Sequence, residues 1–174
     1  MYTDWKYPTV VGQHSEHESH ISWDGVADLA DLKHSDGRFI RTSRDLVHIS
    51  NPTANDIRST TWYLTATNFN FGNIIPAIHG VEVKLSSKRG GRISEETIQL
   101  VLNGQSIGDN RATPTLDMTK IYGGSNDIWG LDSIDSEMVR DASFGITMRF
   151  QSHPYWPHKE SMLIDSIAIR FFAG

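Results

Sequence analysis

The stretch TIQLVLNGQSIG runs from Thr97 to Gly108. Ile98, Leu100 and Leu102 alternate with Gln99 and Val101. Apolar residues at every second position place one face of an extended strand on a core and the other toward water. Asn103-Gly104 follows at once. Both residues tolerate positive φ, which a two-residue turn between right-twisted strands requires. The stretch predicts strand, tight turn, strand, and sets the expected class as antiparallel β.

The same period recurs along the chain. Val81, Val83 and Leu85 alternate with Glu82 and Lys84, and Phe144, Ile146, Met148 and Phe150 with Gly145, Thr147 and Arg149. Leu163, Ile167, Ile169 and Phe171 share one face of a last strand. Asp165 falls on that face. A bare buried carboxylate is costly, so Asp165 either marks the strand start or is held by a buried hydrogen bond. Turn residues separate the runs at Asn73–Pro76, Gly90-Gly91, Gly108–Asn110 and Gly123-Gly124.

Helical signals are thin. Val26, Leu29, Ala30 and Leu32 approach helical spacing within Trp23–His34, but Gly25 and neighbouring aspartates weaken the pattern, and Ser136–Phe144 suits one short turn. About eight short strands spaced by turns predict an antiparallel β-sandwich, jelly-roll-like, over residues 21–174. Residues 1–20 hold Pro8, Gly12 and the polar tract QHSEHESH, with no period. They are expected to form an extended N-terminal arm, disordered alone or ordered against a partner.

Composition narrows the function. A chain of 174 residues suits one domain and can bury roughly 70% of its unfolded surface in a single core. It has no cysteine, which excludes disulfides, thiolate catalysis and thiolate-held metal clusters. Sixteen Lys and Arg against 21 Asp and Glu give a formal charge of −5. The strongest basic cluster, Lys84–Arg92, is short, whereas nucleic-acid binders neutralise phosphates with a basic face; no nucleic-acid partner is expected. No apolar run approaches the ~20 residues of a membrane-spanning helix, and no membrane partner is expected. The opening MYTDWKYPTVVGQH lacks a basic region followed by an apolar run, so no cleaved leader is expected.

His14, His17 and His20, with Glu16 and Glu18 between them, carry ligand types that suit zinc or nickel. Spacing by three converges only on a helix or a specially bent loop, so a solvated polar tract is the favoured reading and no metal or other cofactor is expected. Gly123–Ser125 echoes a nucleophile turn but lacks its second glycine and its strand–helix setting, and no enzyme is expected. Lys88–Arg92, KRGGR, could cradle an anion; a hairpin turn with solvated charges is favoured. Tyr155 and Trp156 lie in HPYWPH, stiffened by two prolines. Such a loop either presents aromatics to a protein or a glycan, or folds Trp156 back over the end of the sandwich.

YGGSNDIWG, from Tyr122 to Gly130, is read as a corner of the fold. Gly123 and Gly124 permit a turn with positive φ. Asn126 and Asp127 can bond nearby amides. Trp129 returns to the core, and Gly130 relieves crowding behind the indole.

These pieces together resemble a pattern in structural proteins of tailed bacteriophages. The run FNFGNIIPAIHGVEVKL (Phe69–Leu85) is followed by TIQLVLNGQSIGDNRA (Thr97–Ala112). Then come Tyr-Gly-Gly-x-x-Asp-apolar-Trp-Gly (Tyr122–Gly130), SFGITMRF (Ser143–Phe150) and IDSIAIRFF (Ile164–Phe172). Order and spacing agree over about residues 61–172. The resemblance implies a β-sandwich virion protein without catalysis, made in the host cytoplasm and docked in many copies onto other virion proteins. It would serve as a capsid decoration or cement protein, or as a neck or tail accessory. It also makes Asp165 part of the family pattern. The aromatic loop and the His-rich tract lie outside that pattern. The rival expectation is a carbohydrate-binding module for host attachment, using Tyr155 and Trp156.

Overall fold

The computed structural model describes residues 1–26, 38–49, 57–73, 76–88, 93–114, 119–152 and 158–174. Among them the chain is all-β and sandwich-like. One antiparallel sheet has the order β1 (Val10–His14), β6 (Tyr63–Thr67), β11 (Gly145–Ser152), β8 (Ile93–Leu102), β9 (Gln105–Ile107). The second runs β10 (Thr119–Gly124), β7 (Ile78–Ser87), β13 (Leu163–Ala173), β3 (Ile40–Thr42), β2 (Trp23–Asp24). A small third sheet joins β12 (His158–Glu160), β4 (Leu46–Ile49) and β5 (Ile57–Arg58).

The alternating residues form the core. Val81, Val83 and Leu85 meet Ile98, Leu100, Ile146, Met148 and Phe150 in one buried cluster. Phe144 lies 6.0 Å from Phe171 across the sheets, ring centre to ring centre, and Phe71 lies 4.3 Å from Phe171. Burying each such side chain contributes about 1.5–3 kcal/mol. Asn103 (φ 52°) and Gly104 (φ 74°) turn β8 into β9. Positive φ at both central residues is the primed-turn geometry that the Asn-Gly pair predicts. Ser136–Arg140 is a single helical turn, α1, capped by the Asp135 carboxylate, which accepts from the Met138 N–H at 2.8 Å. The helical spacing after Gly25 falls at 27–34, outside the described residues, and so does the Gly90-Gly91 turn.

Two β-bulges correct the reading of alternation. In β13 the register shifts between Ile164 and Ser166. The extra residue reverses parity, so Ile164 rather than Leu163 joins Ile167, Ile169 and Phe171 in the core. Asp165 sits half-buried at the bulge itself. In β11 and β8, Arg149 pairs with Thr97 and Phe150 with Glu95, leaving Glu96 as the extra residue. This turns Glu95 toward the space between the sheets.

The N-terminal segment, read from the sequence as an extended arm that is disordered alone or ordered against a partner, lies along the chain's own sheets over residues 1–14. β3 pairs with β13 only at Leu163 and Ile164. The rest of that edge is taken by the first six residues. Lys6 and Ile169 exchange two backbone hydrogen bonds at 2.9 Å, Thr3 N–H donates to Phe171 O at 2.9 Å, and Ala173 N–H donates to Met1 O at 2.8 Å. The chain then crosses at the buried Pro8, and Val10–His14 pairs with Thr67–Tyr63 as the edge strand of the other sheet. Backbone groups make most of this ladder, joined by the Thr3 hydroxyl, which accepts from Phe171 N–H at 2.9 Å, so it needs no apolar period that a sequence would reveal.

Candidate functional site

The Tyr122–Gly130 corner is built around Trp129, which is fully buried. β10 brings Tyr122–Gly124 alongside Val81–Val83 of β7. The chain turns from Gly124 to Asp127, where Asp127 N–H donates to Gly124 O at 3.3 Å and Val81 N–H donates to Asp127 O at 2.9 Å. The Asp127 carboxylate accepts from the Trp129 N–H at 2.8 Å and from Arg111 at 2.6 Å. The indole N–H donates to Val81 O at 3.2 Å.

Gly123 has φ 84°, and a Cβ there would stand 2.1 Å from Val81 O and 2.7 Å from the indole nitrogen. Gly123 is thus the residue that makes room for the indole. Gly130 (φ 72°) instead makes room for the Asp109 carboxylate, 2.5 Å from its ideal Cβ, which corrects the role assigned to it. Asn126 is exposed, and Asp127 is the side chain that braces the loop. The Asp127 carboxylate, the Arg111 guanidinium, the two Trp129 N–H groups and Val81 O share the hydrogen bonds of the corner.

The three histidines do not gather into one cluster among the described residues. His14 stacks on Tyr63, with ring centres 4.9 Å apart and planes at 13°. His17 and His20 lie 5.6 Å apart at the turn beyond β1. His17 bonds the Ser19 hydroxyl through Nδ1 at 2.7 Å. Among the described residues no three His, Asp or Glu side chains form a group that could hold a metal.

The tract instead borders an ion-pair network on the outer face of the sheet. Arg149 binds Glu96 through two bonds, at 2.8 and 3.0 Å, lies 3.5 Å from Glu16, and covers the Tyr63 ring at 4.3 Å. The Arg149 bonds hold the Glu96 carboxyl below its ordinary range, and Glu96 in turn raises Arg149. Burial, and then the positive charge of Arg149, lower His20.

Sequence reasoning missed two further groupings. Between the sheets, the fully buried Glu95 carboxylate accepts from Tyr122 Oη at 2.6 Å and from Lys120 Nζ at 2.7 Å. A Glu-Glu pair in a strand gives no sign of which member faces inward; the bulge decides it. The second is a cleft of about 620 Å³ beside β3, β4 and β12. Arg41, Arg44 and Lys159 line it together with Thr42, Ser59 and Ser161. Lys159 lies more than 100 residues from Arg41 and Arg44 in the chain, so no local motif marks it. Tyr155 and Trp156 lie within 153–157, outside the described residues, just before β12 in the sequence; most of KRGGR lies outside them too.

The face of the second sheet carries an aromatic and cationic cluster. Arg170 lies 4.5 Å from the Trp5 ring centre, 5.4 Å from that of Tyr2 and 5.3 Å from that of Phe172. Lys84 covers Trp5 at 4.6 Å, and Arg170 donates to Glu82 at 2.7 Å. These contacts pin the N-terminal segment to β13. No protein-family model matches the chain, and no curated protein or solved structure matches it either.

Proposed function

We propose that this chain is a non-enzymatic structural component of a tailed-bacteriophage virion, assembled in several copies. In this reading it is a capsid decoration or cement protein, or a neck or tail accessory. It is made in the host cytoplasm and docks on other virion proteins. The wiring of its two five-stranded sheets is read as jelly-roll-like. The resemblance over residues 61–172 supports the reading, and its quoted segments make up β7, β8, β9, β11, β13 and the Trp129 corner. Those residues serve the scaffold.

The observation that carries the proposal is the outward side of the N-terminal segment. Met1, Tyr2 and Val10 are exposed by 93%, 64% and 50%, and Ile121 is the other large apolar side chain so exposed among the described residues. β1 is also the last strand of its sheet. An edge with unpaired backbone and apolar side chains is a template for a neighbouring chain, and repeated copies add modest contacts into firm attachment.

The absence of native cysteine makes a direct test simple. Val10→Cys, treated with a short bismaleimide, is expected to yield a covalent dimer, while exposed Asp132→Cys stays single. Both variants remaining single at high concentration would contradict the reading. In that case binding on a glycan array, lost in Trp156→Ala with the fold intact, would favour a carbohydrate-binding module.

A further inference from the structure

The geometry points to a second site: the cleft beside β3, β4 and β12 binds an acceptor-rich anion, a sugar bearing a carboxylate or a phosphate. Thr42 Oγ1 accepts from Met162 N–H at 3.1 Å, and Ser59 Oγ accepts from Val47 N–H at 2.9 Å. A hydroxyl whose lone pair is engaged by an amide keeps its own hydrogen to donate. Two hydroxyls on the wall are thereby set as donors by the backbone.

The cations around them are under-used. Arg41 is exposed and makes no ion pair among the described residues. Among the described residues Arg44 reaches the Ser19 carbonyl, at 3.3 Å. Lys159 is 72% exposed and stands 3.9 Å from Asp45. Asp45, the lining carboxylate, already accepts from the Ser161 hydroxyl. The wall thus offers three cations and fixed hydroxyl donors, with one engaged acceptor. This is in a chain whose formal charge is −5, so the local field opposes the global one. A concave surface focuses such a field.

Size and lining select the ligand. About 620 Å³ lies within the usual range for small-molecule sites and far exceeds what one inorganic ion fills. Val47 is the apolar residue on a wall otherwise polar, so an apolar ligand gains little there. A sugar brings many hydroxyl and ring oxygens as acceptors, and its acid group meets the cations. Arg41 and Arg44 suit carboxylate or phosphate equally, since both present paired oxygens to a guanidinium. The inference does not rest on the assembly reading.

The test is an NMR titration of the full chain with glucuronate, glucose 6-phosphate and glucose at low and physiological salt. We expect one or both acid sugars to shift resonances of Arg41, Ser59 and Lys159, with weaker binding at higher salt and little response to glucose. Which acid binds names the source of the anion. Arg41→Ala/Lys159→Ala is expected to weaken binding by about tenfold or more at unchanged Tm, because both side chains are exposed. Arg41→Glu/Lys159→Glu is expected to abolish it. Silence with both acids, equal binding of glucose, or wild-type affinity in the double variants would overturn the inference.

Discussion

Trp129 holds φ 58°, a left-handed conformation that bulky residues seldom adopt and that costs about 1–2 kcal/mol. Complete burial and bonds from both its backbone and indole N–H offset that cost. Trp129→Ala is therefore expected to lower unfolding free energy by about 3–5 kcal/mol, measured by urea denaturation; a loss below about 1 kcal/mol would mean the indole does not anchor the corner. Two glycines offer a sharper comparison. Gly104 (φ 74°) faces open space, whereas a Cβ at Gly123 would stand 2.1 Å from Val81 O. Gly104→Ala is expected to cost about 1 kcal/mol from backbone strain, and Gly123→Ala distinctly more, about 3 kcal/mol or above, because a backbone atom must move. Equal costs would contradict the close approach. Gly123 reads in sequence as a turn glycine, but its clearance for an indole six residues on does not, because the contact exists only once β7 and β10 pair.

At the scale of elements, alternation revealed most strands and misled at the bulges. Counting by twos from Phe171 back to Leu163 passes through the bulge at Asp165 and puts the wrong residue inward. The Glu95–Glu96 pair reverses for the same reason, sending Glu95 to Lys120 and Tyr122 and Glu96 to Arg149. This arrangement sets a pH dependence. His20 is lowered from its ordinary value near 6.5, so the unfolded chain takes up its proton first, and stability falls as pH drops below about 6.5. Glu96 is lowered from near 4.5, so its contribution is complete above that value and is lost as pH falls through its folded pKa. Urea midpoints should decline in two stages on acidification. His20→Gln should remove the first stage and Glu96→Gln the second; an unchanged profile in either variant would contradict the assignment. The N-terminal strand makes a separate prediction. Arg170 touches Tyr2, Trp5 and Phe172, so Arg170→Ala should speed hydrogen exchange at Thr3 and Lys6 well beyond that at Val81. Equal protection would show that backbone pairing alone holds the strand.

For the whole molecule, the all-β class followed from hairpin chemistry and period-two runs that tertiary packing did not override. The placement of residues 1–14 did not, since an edge strand held by backbone bonds leaves no mark in side-chain pattern. The basic cleft escaped because Arg41 on β3 and Lys159 on β12 come together only once β3 pairs with β13 and β4 with β12. The assembly reading rests on the apolar outer side of that unforeseen strand, and light-scattering mass after size exclusion tests it most directly. The full chain is to be run beside Tyr2→Glu/Val10→Glu at matched concentration. The account predicts a discrete oligomer for the wild type and a monomer of 19.6 kDa for the variant, with the same circular dichroism. Equal masses for the two chains would contradict it.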